Sequence, residues 1–393
     1  MMVAPAVLSL LVSFTVLSVD ATPKRSCPPP EDILPCVCSD DSLGLVLVCS
    51  GVKDEPELAQ VFTANFPSSD FHELRILHDP MNLSHRLHSM EPSTLGEATF
   101  QRVNITGTQI LSIDGKTFDK SKSTLQSLAF DGNRIYEFPL ASLSSYTSLT
   151  TLLLANNILP RLQLVFSPFL KVLDVNGNRP LVVEEKAFEN SPSLQKINLS
   201  NTSQQSLQRG LFAQLGQLHE LDLSNNDLKE LEEAAIVTAK PSLTYLDVSR
   251  NEISSISHDS IVGLATNATL VMEKNKITQL TQKSWQHIFD QLQQPYGIIN
   301  LAGHSTVQKG FGFLRDRTVA TEMTRPATSP VTSHHADPTR SVPRIHWSCG
   351  CDMAWIVLNK TYLALFTDTT TCASGERVIF LDPNIFTLMC PHV

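Results

Sequence analysis

The chain has 393 residues, 42% of them hydrophobic, and carries 39 Asp and Glu against 30 Lys and Arg, a formal charge of -9. That acidic balance disfavours nucleic acid or an anionic membrane as the main partner. The eight cysteines fall into two groups, Cys27, Cys36, Cys38 and Cys49 near one end and Cys349, Cys351, Cys372 and Cys390 near the other, with none between.

Residues 1–21 read MMVAPAVLSLLVSFTVLSVDA. The apolar centre from Val7 to Val19 is too short for a membrane span, and Val19-Asp20-Ala21 offers small residues suited to signal-peptidase cleavage, so 1–21 is expected to be a signal peptide. No later stretch resembles an apolar span, and the chain runs only three residues past Cys390, which leaves no lipid-anchor signal. The expectation is a secreted, extracellular protein without a membrane anchor. In an exported chain an even set of cysteines reads as disulfides. Zinc is the competing reading, but Cys36-Val37-Cys38 and Cys349-Gly350-Cys351 are tighter than the usual zinc spacing. Residues 22–70 are read as an N-terminal cysteine cap.

From Phe71 a frame repeats. It is clearest at Leu218–Leu228, LHELDLSNNDL, with aliphatics at Leu218, Leu221 and Leu223, an amide at Asn226 and a closing Leu228. This is the L-x-x-L-x-L-x-x-N-x-L signature of leucine-rich repeats. It recurs from Phe71, Phe100, Leu125, Leu149, Leu170, Leu194, Leu218, Leu243, Asn267 and Tyr296, at intervals of 21 to 29 residues. The fold class expected is α/β, a leucine-rich-repeat solenoid of about ten repeats over 71–304 with a curved, parallel concave sheet. The alternation of apolar and polar residues is that of a half-buried strand. No single turn can bury its own apolar face, so Leu221 and Leu223 should stack on Leu246 and Val248. Asn133, Asn157, Asn178, Asn226, Asn251 and Asn275 hold the amide position, where a side chain can satisfy backbone groups as the chain turns inward. Asp79, Thr108, Thr202 and His304 replace it elsewhere. On the convex side Phe118, Phe138, Phe166, Phe188, Phe212, Ile236 and Ile261 are expected in the core. Six Asn-x-Ser/Thr sequons stand at Asn82, Asn104, Asn198, Asn201, Asn267 and Asn359. Asn104 and Asn198 share the outward position between the strand aliphatics, so glycans there would stand on the concave face.

Between His304 and His346 the repeat grammar stops, and 305–345 reads as a flexible insertion rich in Ser, Thr and Pro. Within it Lys309-Gly310-Phe311-Gly312-Phe313-Leu314 matches the start of an RNA-recognition strand, but about 40 residues cannot hold that domain. Residues 346–393 form a C-terminal cysteine cap. Its stretch Trp347 to Ile356, WSCGCDMAWI, together with Cys372 and Cys390, resembles the C-terminal cap of extracellular leucine-rich-repeat proteins. That resemblance implies the pairs Cys349–Cys372 and Cys351–Cys390, with Trp347 and Trp355 packed over the last turn. The N-terminal group resembles the matching cap with longer gaps, so its pairing stays open. The repeats, CGCDMAWIV and the downstream CASGERVIFLDPNIF together resemble the family of the non-catalytic leucine-rich-repeat subunit of oplophorus-luciferin 2-monooxygenase. The resemblance implies a companion or stabilising role beside a separate secreted enzyme.

Catalytic signatures such as G-x-S-x-G, H-E-x-x-H, a P-loop or G-x-G-x-x-G are absent from the sequence, so neither an enzyme activity nor a cofactor is expected. Asp174, Asp222 and Asp247 are predicted to share one outward column. Acid-base work or calcium would be the sharp reading. The plainer one is that L-D-L-S is a frequent form of the repeat, with Lys171, Lys196 and Arg250 nearby, so no metal is predicted. The chain is read as a protein-binding module, with Leu153, Asp174, Asp222, Tyr245, Asp247 and Val271 as candidate contacts, flanked by Arg75 and Asn104. The alternative is an extracellular recognition protein of matrix or innate immunity that binds glycans or foreign surfaces.

Overall fold

The computed structural model describes residues 26–79, 84–292, 296–302, 349–372 and 374–391. The expected signal peptide 1–21, the insertion 305–345, Asn82, His304 and Trp347 lie outside the described residues.

Twelve strands form one sheet in sequence order. They are β1 (Val37–Asp40), β2 (Leu45–Val48), β3 (Asp70–Leu77), β4 (Thr99–Thr106), β5 (Ser127–Ala129) and β6 (Thr151–Leu153). The series continues with β7 (Val172–Asp174), β8 (Lys196–Asn198), β9 (Glu220–Asp222), β10 (Leu243–Asp247), β11 (Leu264–Val271) and β12 (Ile298–Asn300). β1 runs antiparallel to β2, and every later neighbour is parallel. The sheet therefore begins inside the stretch read as the N-terminal cap.

The stacking follows the sequence frame. Leu221 pairs with Leu246 across β9 and β10, and Leu221, Leu223, Leu246 and Val248 are all fully buried. Burial of one such side chain is worth about 1.5–3 kcal/mol, and the array repeats it turn after turn. The first apolar position of the frame is buried from Phe71 to Leu243 but not in the last two turns, where Asn267 and Tyr296 are exposed. There Leu264 and Ala268 fill the core instead. Phe166 also departs from expectation: it is 42% exposed, and the adjacent Val165 is fully buried in its place. Its unit spans only 21 residues from Leu149 to Leu170, so the shorter return path turns the neighbouring side chain inward.

The amide position explains itself in hydrogen bonds. Asn226 Nδ2 donates to Leu199 O at 2.8 Å and Leu223 O at 2.9 Å, while its Oδ1 accepts from Thr202 N and Gln204 N. Asn133, Asn157, Asn178, Asn251 and Asn275 likewise bond carbonyls of two successive turns. One side chain thus closes its own turn and locks it to the one before. Thr202 does half of this, donating to Leu199 O.

Both ends are stapled. Cys27–Cys38 and Cys36–Cys49 tie the N-terminal hairpin, and helix α1 (Glu55–Val61) starts on an Asp54 side-chain cap. At the other end helix α2 (Gln282–Phe289) lies on the convex side of the last turns, and Cys349–Cys372 and Cys351–Cys390 hold the cap. That is the pairing the resemblance implies. The cap extends the sheet: Ile299 N donates to Leu365 O, and Thr367 N to Ile299 O. Trp355 donates its indole N–H to Leu280 O at 2.8 Å and sets its ring 5.2 Å from Phe289. The apolar edge of the final turn is thereby covered, as an end repeat requires.

Candidate binding surface on the concave sheet

Strand pairing puts the outward residues of successive turns in register. One column runs Arg75, Asn104, Ala129, Leu153, Asp174, Asn198, Asp222, Asp247, Val271 and Asn300. Adjacent members are about 4.8 Å apart along the sheet. Five of the six candidate contacts, Leu153, Asp174, Asp222, Asp247 and Val271, therefore share one line. Tyr245 stands in the neighbouring column, beside Glu220 on one side and Thr269 on the other.

The carboxylates are held, not loose. One oxygen of each Asp accepts from the backbone N–H two residues on: Asp174 from Asn176 at 2.9 Å, Asp222 from Ser224 at 2.8 Å and Asp247 from Ser249 at 2.8 Å. This local turn is the reason L-D-L-S suits the exit of a strand. The second oxygen of Asp247 accepts from the Tyr245 hydroxyl at 3.2 Å. That of Asp174 accepts from Asn198 Nδ2 at 3.4 Å.

These side chains point outward but are far less solvated than an outward position suggests. Asp174 and Asn198 are 6% and 4% exposed. Neighbouring strands on both sides crowd each Cβ, so position between two aliphatics does not mean access to water. Burial, reinforced by the charge of Asp131, pushes the Asp174 carboxyl up to about 6. Burial and the neighbouring Asp247 do the same for Asp222, also to about 6. Asp247 is raised by burial, and the Tyr245 phenol is raised by burial with Asp247 and Asp222 beside it.

Asn198 is buried as well as bonded. Its amide nitrogen bonds Asp174, and its oxygen accepts from Ser200 N and Oγ. Asn104 is half-buried and accepts from Thr106 Oγ1, and Asn201 accepts from Arg179 at 2.8 Å. Asn359 caps helix α3 (Lys360–Leu363), and Asn267 is exposed.

Sequence reasoning named Lys196 but missed Glu220, with which it forms an ion pair across β8 and β9, the Glu220 side chain being 8% exposed. The signal was present, since both occupy the outward position just before the central aliphatic of their turns. Lys196 is thus engaged by Glu220, and it offsets the Asp column less than its place in the sequence implies. Glu273, another member of this acidic face, accepts from Asn300. Among the described residues no three His, Cys, Asp or Glu side chains are grouped to hold a metal ion. The column supplies carboxylates at three of its ten positions, Asp174, Asp222 and Asp247, with no more than one in a turn, and not a convergent set.

Comparison with known proteins agrees with this architecture. Leucine rich repeat family models match residues 168–228 and 242–264. The Oplophorus-luciferin 2-monooxygenase non-catalytic subunit of Oplophorus gracilirostris is 27% identical over 93% of this chain and 88% of that protein. Tsukushi of Xenopus tropicalis is 30% identical over 36% of this chain and 41% of its own length. Among solved structures, a chain in the octameric complex of Latrophilin 3, Unc5D and FLRT2 (LRR) superposes with a TM-score of 0.61 at 17% identity. That match covers 93% of this chain and 98% of the other, and it bears on the fold alone. The chain is a leucine-rich-repeat solenoid that resembles a subunit named as non-catalytic, in keeping with its reading as a non-enzyme.

Proposed function

We propose that this chain, similar as it is to a non-catalytic subunit of a monooxygenase, is a secreted binding module that holds a protein partner against its concave sheet. The observation that carries the reading is the register column from Leu153 to Val271, where rigid strands set apolar and acidic side chains in one line. Side chains fixed in this way lose little freedom on binding. Asp174 and Asp222 are raised by burial first and by like charges beside them second, so a Lys or Arg of a partner laid over them would further stabilise their ionised forms. The inferred partner is therefore a secreted protein with a basic face and an apolar residue to meet Leu153 or Val271. A stabilising or scaffold role beside a separate enzyme is the form that the relative suggests.

The test is a pull-down from the native secretion with the full chain as bait. A fixed protein partner whose retention falls as salt rises supports the proposal, because interactions between exposed charges are screened. Retention by polysaccharide alone, with no protein recovered, rejects it in favour of glycan recognition in matrix or immunity. Among the described residues no helix is long and apolar enough to cross a membrane.

A further inference from the structure

The structure separates the sequons by what surrounds them. Asn198 is 4% exposed and bonded on both sides of its amide, between β7 and β9. Asn267 occupies the frame position at which Leu194, Leu218 and Leu243 are fully buried, yet it is exposed. The cause is an irregularity in β11. Leu243 and Tyr245, two residues apart, pair with Leu264 and Thr269, five apart, so β11 carries three extra residues. Leu264 and Ala268, 1% and 0% exposed, close the core, and the bulge leaves Asn267 outside it. Thr269, the hydroxyl residue of Asn267-Ala268-Thr269, sits opposite Tyr245.

We propose that Asn267 is an N-glycosylation site in the folded protein and that Asn198 is not. The Asn267 glycan would then stand at the bulged edge of the concave sheet beside Tyr245 and bound the contact surface there. In the transfer, Asn267 Nδ2 bonds to the anomeric carbon of an oligosaccharide carried on a polyprenyl diphosphate. The bond from that carbon to the diphosphate oxygen breaks, the polyprenyl diphosphate leaves with the electron pair, and the amide gives up one proton. The transferase acts on unfolded chain, where both sequons are open to it, so folding makes the distinction. A sugar on Asn198 would force β8 away from β7 and β9, strand its hydrogen bonds and prevent closure of the stack. A sugar on Asn267 displaces nothing. This inference rests on the secreted reading above.

The experiment expresses the full chain in insect cells and recovers folded protein from microsomes and medium. Peptide-N-glycosidase in heavy-oxygen water marks each glycosylated Asn as labelled Asp, which is read by peptide mass spectrometry. The expected result is label at Asn267, none at Asn198, and loss of one glycan mass in both Asn267→Gln and Thr269→Val. Two variants that remove the sequon from different residues keep the test clear if one of them folds poorly. Unlabelled Asn267 in protein from the medium overturns the proposal, as does label at Asn198, and either result leaves secretion standing. A chain that never enters the microsomes overturns it as well and takes the secreted reading with it.

Discussion

Asp222 and Asp247 stand opposite one another on adjacent parallel strands, each with one carboxylate oxygen tied to its own strand exit. Burial first, and the neighbouring charge of Asp247 second, make the protonated form of Asp222 easier to hold in the folded chain than in the unfolded one. The Asp222 carboxyl is accordingly raised to about 6 from an ordinary 3.8.

The sign of the pH dependence follows. A folded-state value above the unfolded one means that the folded chain binds more protons in between, so this contribution to stability is fully present below about 3.8 and lost as pH rises through about 6. His78 works the other way. Burial first, then the neighbouring His85, lowers it from 6.5 to about 4, so its contribution is present above 6.5 and lost as pH falls through about 4. Asp222→Asn should therefore remove one contribution to the fall in melting temperature between pH 4 and 6, leaving those of Asp174 and Asp247 and the opposing one of His78. Melts of both proteins across that window check it, and parallel curves would mean that Asp222 titrates normally.

Leu221→Asp should unfold the array, whereas Asp222→Ala should not. Leu221 is fully buried against Leu246, and replacing it removes about 2–5 kcal/mol of packing before the cost of an unpaired buried carboxylate is counted. Asp222→Ala loses the bond from Ser224 N, about 1 kcal/mol, and relieves repulsion with Asp247. Equal losses in thermal melts would place the register one residue out.

Asn226→Ala leaves the N–H groups of Thr202 and Gln204 without their acceptor and removes one donor each from Leu199 O and Leu223 O, which Thr202 Oγ1 and Asn251 Nδ2 still reach. At about 1–3 kcal/mol for each buried group left without a partner, the loss should far exceed that of Asn225→Gly at the exposed, left-handed neighbour. Denaturant titration of both variants measures the difference.

The C-terminal cap closes the sheet through Ile299, so its bridges support the last turns as well as themselves. Replacing Cys351 and Cys390 together by Ala should cost about 2–5 kcal/mol. Hydrogen exchange should show the loss concentrated around Ile299 and Leu365. Exchange rising equally at Leu128 would mean that the cap does not act locally.

The frame was legible in the sequence wherever one turn follows the next by rule. Leu221, Leu246 and the amide residues are fixed by chain-local periodicity, and a strand of alternating residues has only one way to put them inside. What depends on the length of the return path was not legible. The 21-residue unit rotates Val165 into the place expected for Phe166, and three extra residues in β11 expel Asn267. Burial of the outward side chains was hidden for a different reason. Asp174 is covered by residues 21 and 24 positions away in the chain, such as Leu153 and Asn198, and their joint crowding has no signature within any one repeat.

The concave surface itself is tested by substitution at its two kinds of contact. Tyr245 keeps a half-buried ring on the sheet with its hydroxyl committed to Asp247, so it offers a partner an aromatic face already fixed in place. Leu153 offers an apolar contact in line with the acidic column, between Ala129 and Asp174. Preformed aromatic and apolar contacts commonly carry much of an interface's energy. Tyr245→Ala and Leu153→Asp should each weaken binding by about tenfold or more, a loss of at least about 1.4 kcal/mol. Neither should shift the melting temperature as Leu221→Asp does, since both side chains are only partly buried. The convex face supplies the control: Lys186 and Glu189 form an exposed ion pair there, and removing it should leave affinity unchanged. Calorimetry with the isolated partner decides between the faces. Full affinity in both concave variants, with loss in Lys186→Ala or Glu189→Ala, would move the contact to the convex side.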